Sequence, residues 1–470
     1  MTSSKTTPAT GFFFCLLFAS ILDLQAYPKT APWHELERYQ ETITRKEFEH
    51  LLIRFYNPSK VILSYLDINN ERAVIYNDRA KTKVDFTLRF AASEASQKPS
   101  KHYYKTIADL NALKNSHDKP LKGVKIGLDP GHIGGKWAGM EERQISWAGY
   151  PIIREGDCNL TVCKKVKPRL EALGATVIMT HTTTDPVTKT RPEDFMAEAK
   201  AEGKTGGALR RRAEMYFYRR EEIYERGQFL RQKFQPDFNI SLHFNATELS
   251  GGGEVTKDNR HAFFIQAAFG PDEVDREMWR YFLFSKLLER SLPMESAMGD
   301  FLTEEILKVA PLRANAYGWT KYTCPVDDDP YNNGRNLAMT REFPGPTVLC
   351  EMFYMNNPWT AARLTAGDFS GVKRIEGAGG SYRSIYEEYA DAVVGAVQRL
   401  FTLWTVQGYA SVPPPKITQS WGGKPAEGKI IKAEAKAAPE INAQPKSPPT
   451  AAKPPADKNT APVKKWWHFW

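Results

Sequence analysis

Cysteine is scarce in this 470-residue chain, with five in all. None falls in a Cys-x-x-Cys pair, so the spacing that announces a structural zinc is absent. Cys15 lies in an N-terminal apolar run, which leaves Cys158, Cys163, Cys324 and Cys350, an even set that permits disulfides in an exported protein. Cys158 and Cys163 stand five apart in an expected helix and point in different directions. Cys324 with Cys350 is therefore the expected pair, against four buried free thiols. Long apolar stretches are equally few. One run, residues 11 to 22, is too short to span a bilayer of about 30 Å, and no other segment is apolar enough to cross one. Lys5 before that run and Leu24-Gln25-Ala26 after it read as a signal peptide cleaved after Ala26, with a retained anchor as the alternative. No Leu-x-x-Cys box surrounds Cys15, which argues against a lipoprotein. The expected location is outside the cytoplasm, in the periplasm or cell envelope.

Arginine is missing from residues 416 to 470, where ten lysines face four acids and supply +6 of the chain's net +9. The stretch is rich in Pro and Ala, so it cannot bury a core and reads as a disordered, extended tail over 411 to 470. It ends in Lys464-Lys465-Trp466-Trp467-His468-Phe469-Trp470. Aromatics beside cations suit an anionic envelope surface, lipid or polysaccharide. No nucleic-acid partner is expected, and the protein is expected to be a monomer.

Residues 27 to 118 read as a small N-terminal α+β domain without evident chemistry. Leu36, Tyr39, Ile43, Phe48, Leu51, Leu52 and Phe55 recur at helical spacing, and residues 60 to 66 and 82 to 90 read as strands. From residue 119 to about 410 strands and helices alternate: a strand at 124 to 128, a helix at 159 to 173, a strand at 176 to 180, a long charged helix at 207 to 234, a strand at 347 to 351 and a helix at 384 to 403. The expected fold class is α/β, a twisted and mainly parallel sheet flanked by helices. The arginines of the long helix, Arg210, Arg211, Arg212, Arg219 and Arg220, read as a solvated face rather than a binding surface. Residues 295 to 310 read as a core helix, with an occluding helix as the alternative.

Two strands in this region each run into a histidine. Val124-Lys125-Ile126-Gly127-Leu128 leads to Asp129-Pro130-Gly131-His132, and Asn239-Ile240-Ser241-Leu242 leads to His243-Phe244-Asn245-Ala246. Carboxyl ends of strands are where an open α/β sheet forms its cleft, so the two imidazoles are placed to converge. One added carboxylate would complete a three-ligand hydrolase site with its fourth position left to water. Glu155 opens the 159 to 173 helix, where the helix dipole favours a carboxylate even without metal. Glu351 ends an apolar strand between Cys350 and Met352, where a lone charge is costly unless partnered, so a functional role is expected there above any surface acid. His181 and His261 lack strand-end placement and read as structural or exposed.

Four segments in this order, covering about half the chain, resemble the zinc-dependent N-acetylmuramoyl-L-alanine amidases of the cell-separation type. They are Gly127-Leu128-Asp129-Pro130-Gly131-His132 with Gly134-Gly135; Glu155 with Asn159-Leu160 and the following strand; Ile240-Ser241-Leu242-His243-Phe244-Asn245-Ala246; and Pro346-Thr347-Val348-Leu349-Cys350-Glu351 with Asn356-Asn357. The resemblance implies that His132, Glu155 and His243 bind Zn2+ and that Glu351 is the catalytic acid/base. It further implies that a zinc-bound water cleaves the amide between N-acetylmuramic acid and L-alanine in peptidoglycan, the implied partner. Three departures stand out. Ile133 interrupts Gly-His-Gly-Gly; the stretch from 136 to 153 is long, which leaves Glu141 and Glu142 as alternative carboxylate ligands; and insertions near 186 to 222 and 251 to 340 exceed the compact family core, as a lid or a cleft wall. Another exported zinc peptidase or deacetylase, and a non-catalytic wall-binding protein, are the rival readings.

Overall fold

The computed structural model describes residues 27 to 406 except 29, 100, 101, 103, 106 to 108, 110 to 118, 147 to 150, 248 to 254, 311 and 328. The expected signal segment and lysine-rich tail lie outside the described residues. Among the described residues no helix is long and apolar enough to cross a membrane.

The amino-terminal region carries helix α1 (Arg45–Leu51) and the antiparallel strands β1 (Leu66–Ile68), β2 (Arg72–Tyr76) and β3 (Val84–Arg89). Residues 60 to 66, expected as a strand, instead form a tight helical turn over Val61–Tyr65, and β1 begins only at Leu66. Lys60 enters the turn with φ 61, and the buried side chains Ile62 and Tyr65 are three apart. The apolar period there is three, not two.

The central sheet has eight strands. Seven form its path: β4 (Lys125–Pro130), β5 (Thr176–Met179), β6 (Phe238–Asn245), β7 (Arg260–Gln266), β8 (Thr323–Pro325), β9 (Asn332–Arg335) and β10 (Thr347–Tyr354). Their spatial order is β8-β9-β7-β10-β6-β4-β5, with Arg313–Ala314 pairing beside β7. β10, β6, β4 and β5 are mutually parallel, and β7 then runs antiparallel to β10. The sheet is therefore mixed and mainly parallel, as the alternating pattern implied. Cys324 on β8 and Cys350 on β10 are separated by β9 and β7, about 14 Å at ordinary strand spacing and beyond the reach of a disulfide. The expected bond is therefore wrong, and all four cysteines are buried free thiols.

Alternation along β6 sets the layers. Phe238, Ile240, Leu242 and Phe244 enter the large core, packed by helices α2 (Glu155–Ala172), α6 (Leu292–Val309) and α8 (Ile385–Val406). The continuous helical run made of α3 (Gly206–Met215), a wider turn, α4 (Glu222–Phe229) and a last turn through Phe234 covers the other face with α7 (Ala338–Glu342). Helix α5 (Glu277–Glu289) receives the amino-terminal region: Phe48 stacks on Phe284 at 6.1 Å, Trp33 meets Tyr281 edge-on at 5.7 Å, and the Tyr56 hydroxyl donates to the Lys286 carbonyl.

Helix α6 is a core helix, with Met298, Phe301, Leu302 and Ile306 buried. It also buries Glu295, whose carboxyl accepts from the Thr347 N–H at 2.8 Å and from the Ser291 hydroxyl at 3.1 Å. Burial pushes this carboxyl up to about 7, against the pull of Lys286. A carboxyl raised on folding contributes stability below its unfolded value that is lost as pH rises through about 7. Glu295→Gln should thus melt higher than the parent at about pH 8.5, by on the order of 2 kcal/mol, and show no gain at about pH 4.5. Thermal melts at both pH values test this; an equal shift at both would reject it.

Candidate active site

β4 ends in a turn built to hold one imidazole. Asp129 is 2 % exposed, and its oxygens accept from Thr180 Oγ1 at 2.5 Å, Ser241 Oγ at 2.6 Å and Arg226 at 3.2 Å. Burial alone would raise this carboxyl, but Arg226 and the two hydroxyls hold it below the ordinary value. Arg226, on α4, also donates to the carbonyls of Pro130 and His132 at 3.0 Å each and pairs with Glu222 at 2.9 Å. His132 then adopts φ 64, a left-handed conformation rarely populated outside glycine. Gly131 is required by proximity, since a Cβ there would stand 2.2 Å from the His243 ring.

The structure brings His132, Glu155 and His243 together, with one ligand atom from each within 4.8 Å of the others. Glu155, on the first turn of α2, lies between the rings: its oxygens are 3.3 Å from His132 Nε2 and 3.0 Å from His243 Nδ1. Burial would raise the Glu155 carboxyl, and the two imidazoles more than offset it, holding it low. The far side of each ring has a partner of its own. Ser241 gives its hydroxyl hydrogen to Asp129, so its oxygen accepts from His243 Nε2–H at 3.2 Å. His132 Nδ1 faces Glu141 at 3.5 Å, and His132 Nε2 accepts from Arg143 Nε at 3.1 Å. One nitrogen of each ring therefore faces the Glu155 carboxylate. Two imidazole nitrogens and a carboxylate converging at about 3 Å are a donor set that suits a metal cation.

Glu351 faces His243 across the β10–β6 ladder, in direct register. Burial raises its carboxyl above the ordinary value, with the negative charge of Glu155 adding and His243 opposing.

Of the alternative carboxylates, Glu142 is on the surface and paired with Arg211. Glu141 is 2 % exposed and, besides facing His132, accepts from the Ile133 N–H at 3.0 Å and the Gly134 N–H at 3.3 Å. It backs a ring instead of joining the cluster, so it acts through His132. Arg143, which no sequence pattern singles out, is also buried and reaches both His132 and Glu155, the latter at 3.7 Å. The one signal was position: both residues lie in the long stretch between the first two cluster members. That stretch is clamped by the 186 to 222 insertion, whose Phe195, Ala199, Ala213 and Phe217 bury Ile133 and Trp137 in a separate apolar cluster. Four of the five arginines noted there bind acids of other segments, Arg210 to Glu193, Arg211 to Glu142, Arg212 to Glu202 and Arg220 to Glu198. His181 lies outside the cluster, buried between the carbonyls of Pro130 and Thr183, and His261 is buried against the Tyr331 ring.

Arg226→Met leaves Asp129 and Glu222 buried without their cation and should cost about 3–5 kcal/mol. Arg210→Met, which breaks a solvent-exposed pair, should cost less than about 0.5 kcal/mol. Thermal unfolding of the two variants side by side reads the difference, and equal losses would contradict this account of the turn.

Residues 126–373 match the family model described as N-acetylmuramoyl-L-alanine amidase. No curated protein matches the sequence. Similar solved structures include the CwlD amidase from Clostridioides difficile in complex with the GerS lipoprotein, at 16% identity over 60% of this chain and 100% of that one, TM-score 0.37. The N-acetylmuramyl-L-alanine amidase Ami1 from Mycobacterium smegmatis is 16% identical over 60% of this chain and 98% of its own, TM-score 0.33. The amidase AmiC2 of Nostoc punctiforme is 14% identical over 60% and 98%, TM-score 0.32. The family model, covering more than half of the 470 residues, carries the assignment: this chain belongs to the N-acetylmuramoyl-L-alanine amidase family, enzymes that hydrolyse an amide bond of peptidoglycan.

Proposed function

We propose that the protein is a zinc-dependent hydrolase of the bond between N-acetylmuramic acid and L-alanine, with His132, Glu155 and His243 as ligands and Glu351 as general acid/base. The observation that carries this reading is the convergence of His132, Glu155 and His243, with one ligand atom from each within 4.8 Å of the others. Two neutral imidazoles and one carboxylate are a donor set that suits zinc in a hydrolase. Bound there, zinc supplies a water that ionises near neutral pH and an electrophile for the scissile carbonyl. Glu351, raised by burial, is poised to take a proton from the attacking water and deliver it to the departing L-alanine nitrogen. Arg143 supplies N–H donors on the His132 side, where negative charge on the carbonyl oxygen is favoured in a buried setting. Glu141 positions His132 through its Nδ1 side and through the backbone that follows it. The reading includes export, with residues 1 to 26 as a cleaved signal.

Purified peptidoglycan incubated with the zinc-loaded protein should release intact stem peptides with a free L-alanine amine, as read by mass spectrometry. EDTA should abolish release, added zinc should restore it, and Glu351→Gln should lower the rate by at least about 100-fold. Deacetylated sugars or cuts elsewhere in the peptide would reassign the substrate. Glu141→Gln should weaken zinc binding by about 10–100-fold in a chelator competition, whereas Glu142→Gln leaves it unchanged.

A further inference from the structure

Arg335 ends β9 and is half-buried, yet among the described residues it has neither an ion pair nor a side-chain hydrogen bond. Its neighbours differ: Arg341 binds Glu342 at 2.8 Å and Asn336 at 3.0 Å. The Arg335 guanidinium lies instead 6.0 Å from the ring centre of Phe264 and 6.0 Å from that of Tyr317. Tyr317 is held by its own N–H on Asn333 Oδ1 at 3.0 Å and keeps 38 % of its surface exposed. The acids whose charge reaches Arg335 are Glu273 and Glu351. Glu273 is occupied by the Gly270 N–H at 2.6 Å. A guanidinium withdrawn from water without a partner is costly, and aromatic faces recover only part of that loss.

Strand register places this cation on the same sheet face as the cluster. Glu351 pairs with Ala262 and Leu349 with Phe264, so Glu351 and Phe264 share a face as diagonal neighbours, about 7–8 Å apart at the backbone. Asn333 pairs in parallel with Phe264 and Arg335 with Gln266, which directs Arg335 to that face as well. From Glu351 the sheet surface thus runs over Phe264 to Tyr317 and Arg335. A planar fork with free donors, braced by two rings, matches a carboxylate arriving from outside.

We propose that Arg335, lying beside the Phe264–Tyr317 ring pair, anchors a carboxylate of the acidic stem peptide and is a specificity-determining residue of the cleft. The inference rests on the amidase reading. Its ligand is an acidic residue following the L-alanine, whose main-chain carboxylate is either free or capped as an amide.

The test compares two synthetic stem peptides, identical except for that carboxylate or amide, by calorimetric titration into the mature protein. The free acid should bind at least about 10-fold more tightly than the amide. Arg335→Gln should bring the ratio to about one by weakening the acid alone, and Arg335→Lys should restore part of it. In hydrolysis, Arg335→Gln should raise KM for the free-acid substrate with kcat little changed. Equal binding of both peptides by the unmodified protein, no binding of either, or equal weakening of both by the substitution overturns the anchor. Absence of cleavage by the unmodified protein counts against the amidase reading instead, while the binding ratio still decides on Arg335.

Discussion

A buried guanidinium must be fully partnered, and Arg226 meets that demand in a way that fixes the cleft. Its partners are Asp129, Glu222 and the carbonyls of Pro130 and His132, so a single side chain of α4 fastens the end of β4. The same Asp129 takes the hydroxyl hydrogen of Ser241, and Ser241 thereby orients His243 on the adjacent strand. Both imidazoles therefore depend on one ion pair that itself touches neither ring. Because the interaction is desolvated, solution ions screen it little. The left-handed backbone at His132 persists because these contacts over-determine it.

The second support comes from chain that the compact family pattern does not require. Ile133, which breaks the glycine pair after His132, is fully buried against Phe195, Ala213 and Phe217 of the 186 to 222 insertion. An apolar residue at that point gives the loop a core of its own, and the loop returns Glu141 and Arg143 to the His132 ring. Ile133, the long stretch after it and the 186 to 222 insertion are thus one structural device. The insertion stands as a wall behind the loop, with its charges spent largely on acids of nearby segments.

Legibility in the sequence divided along physical lines. His132, His243 and Glu351 were visible because short apolar strands each end in a polar residue, and Glu155 because a helix starts with it. Strand and helix alternation also gave the mainly parallel sheet. The antiparallel course of β7 and the interposition of β9 and β7 between Cys324 and Cys350 depend on long-range order that local pattern does not encode. Residues 60 to 66 were misread because five apolar or aromatic side chains in seven positions satisfy a period of two or three equally well. Arg143 and Arg335 were invisible for a different reason, and Glu141 was visible only as an alternative ligand. Each is an ordinary charged residue in a loop or at a strand end, and only its burial and its partners distinguish it.

The proton affinities of the two carboxylates of the cleft are shifted in opposite directions although both are buried. Glu155 lies between two imidazoles, and their contact outweighs burial and keeps it ionised. Glu351, one strand further from Glu155, receives less of that compensation and feels the fixed negative charge of Glu155 in addition, so its proton is held more tightly. Ligation needs a permanently charged carboxylate, whereas proton transfer needs one whose affinity lies closer to neutrality. Exchanging the two environments would spoil both tasks. The separation follows from register: the ladder sets Glu351 beside His243, while Glu155 arrives from a helix end between the rings. The division of labour in the proposed mechanism is thus imposed by where the sheet and α2 deliver two chemically identical side chains.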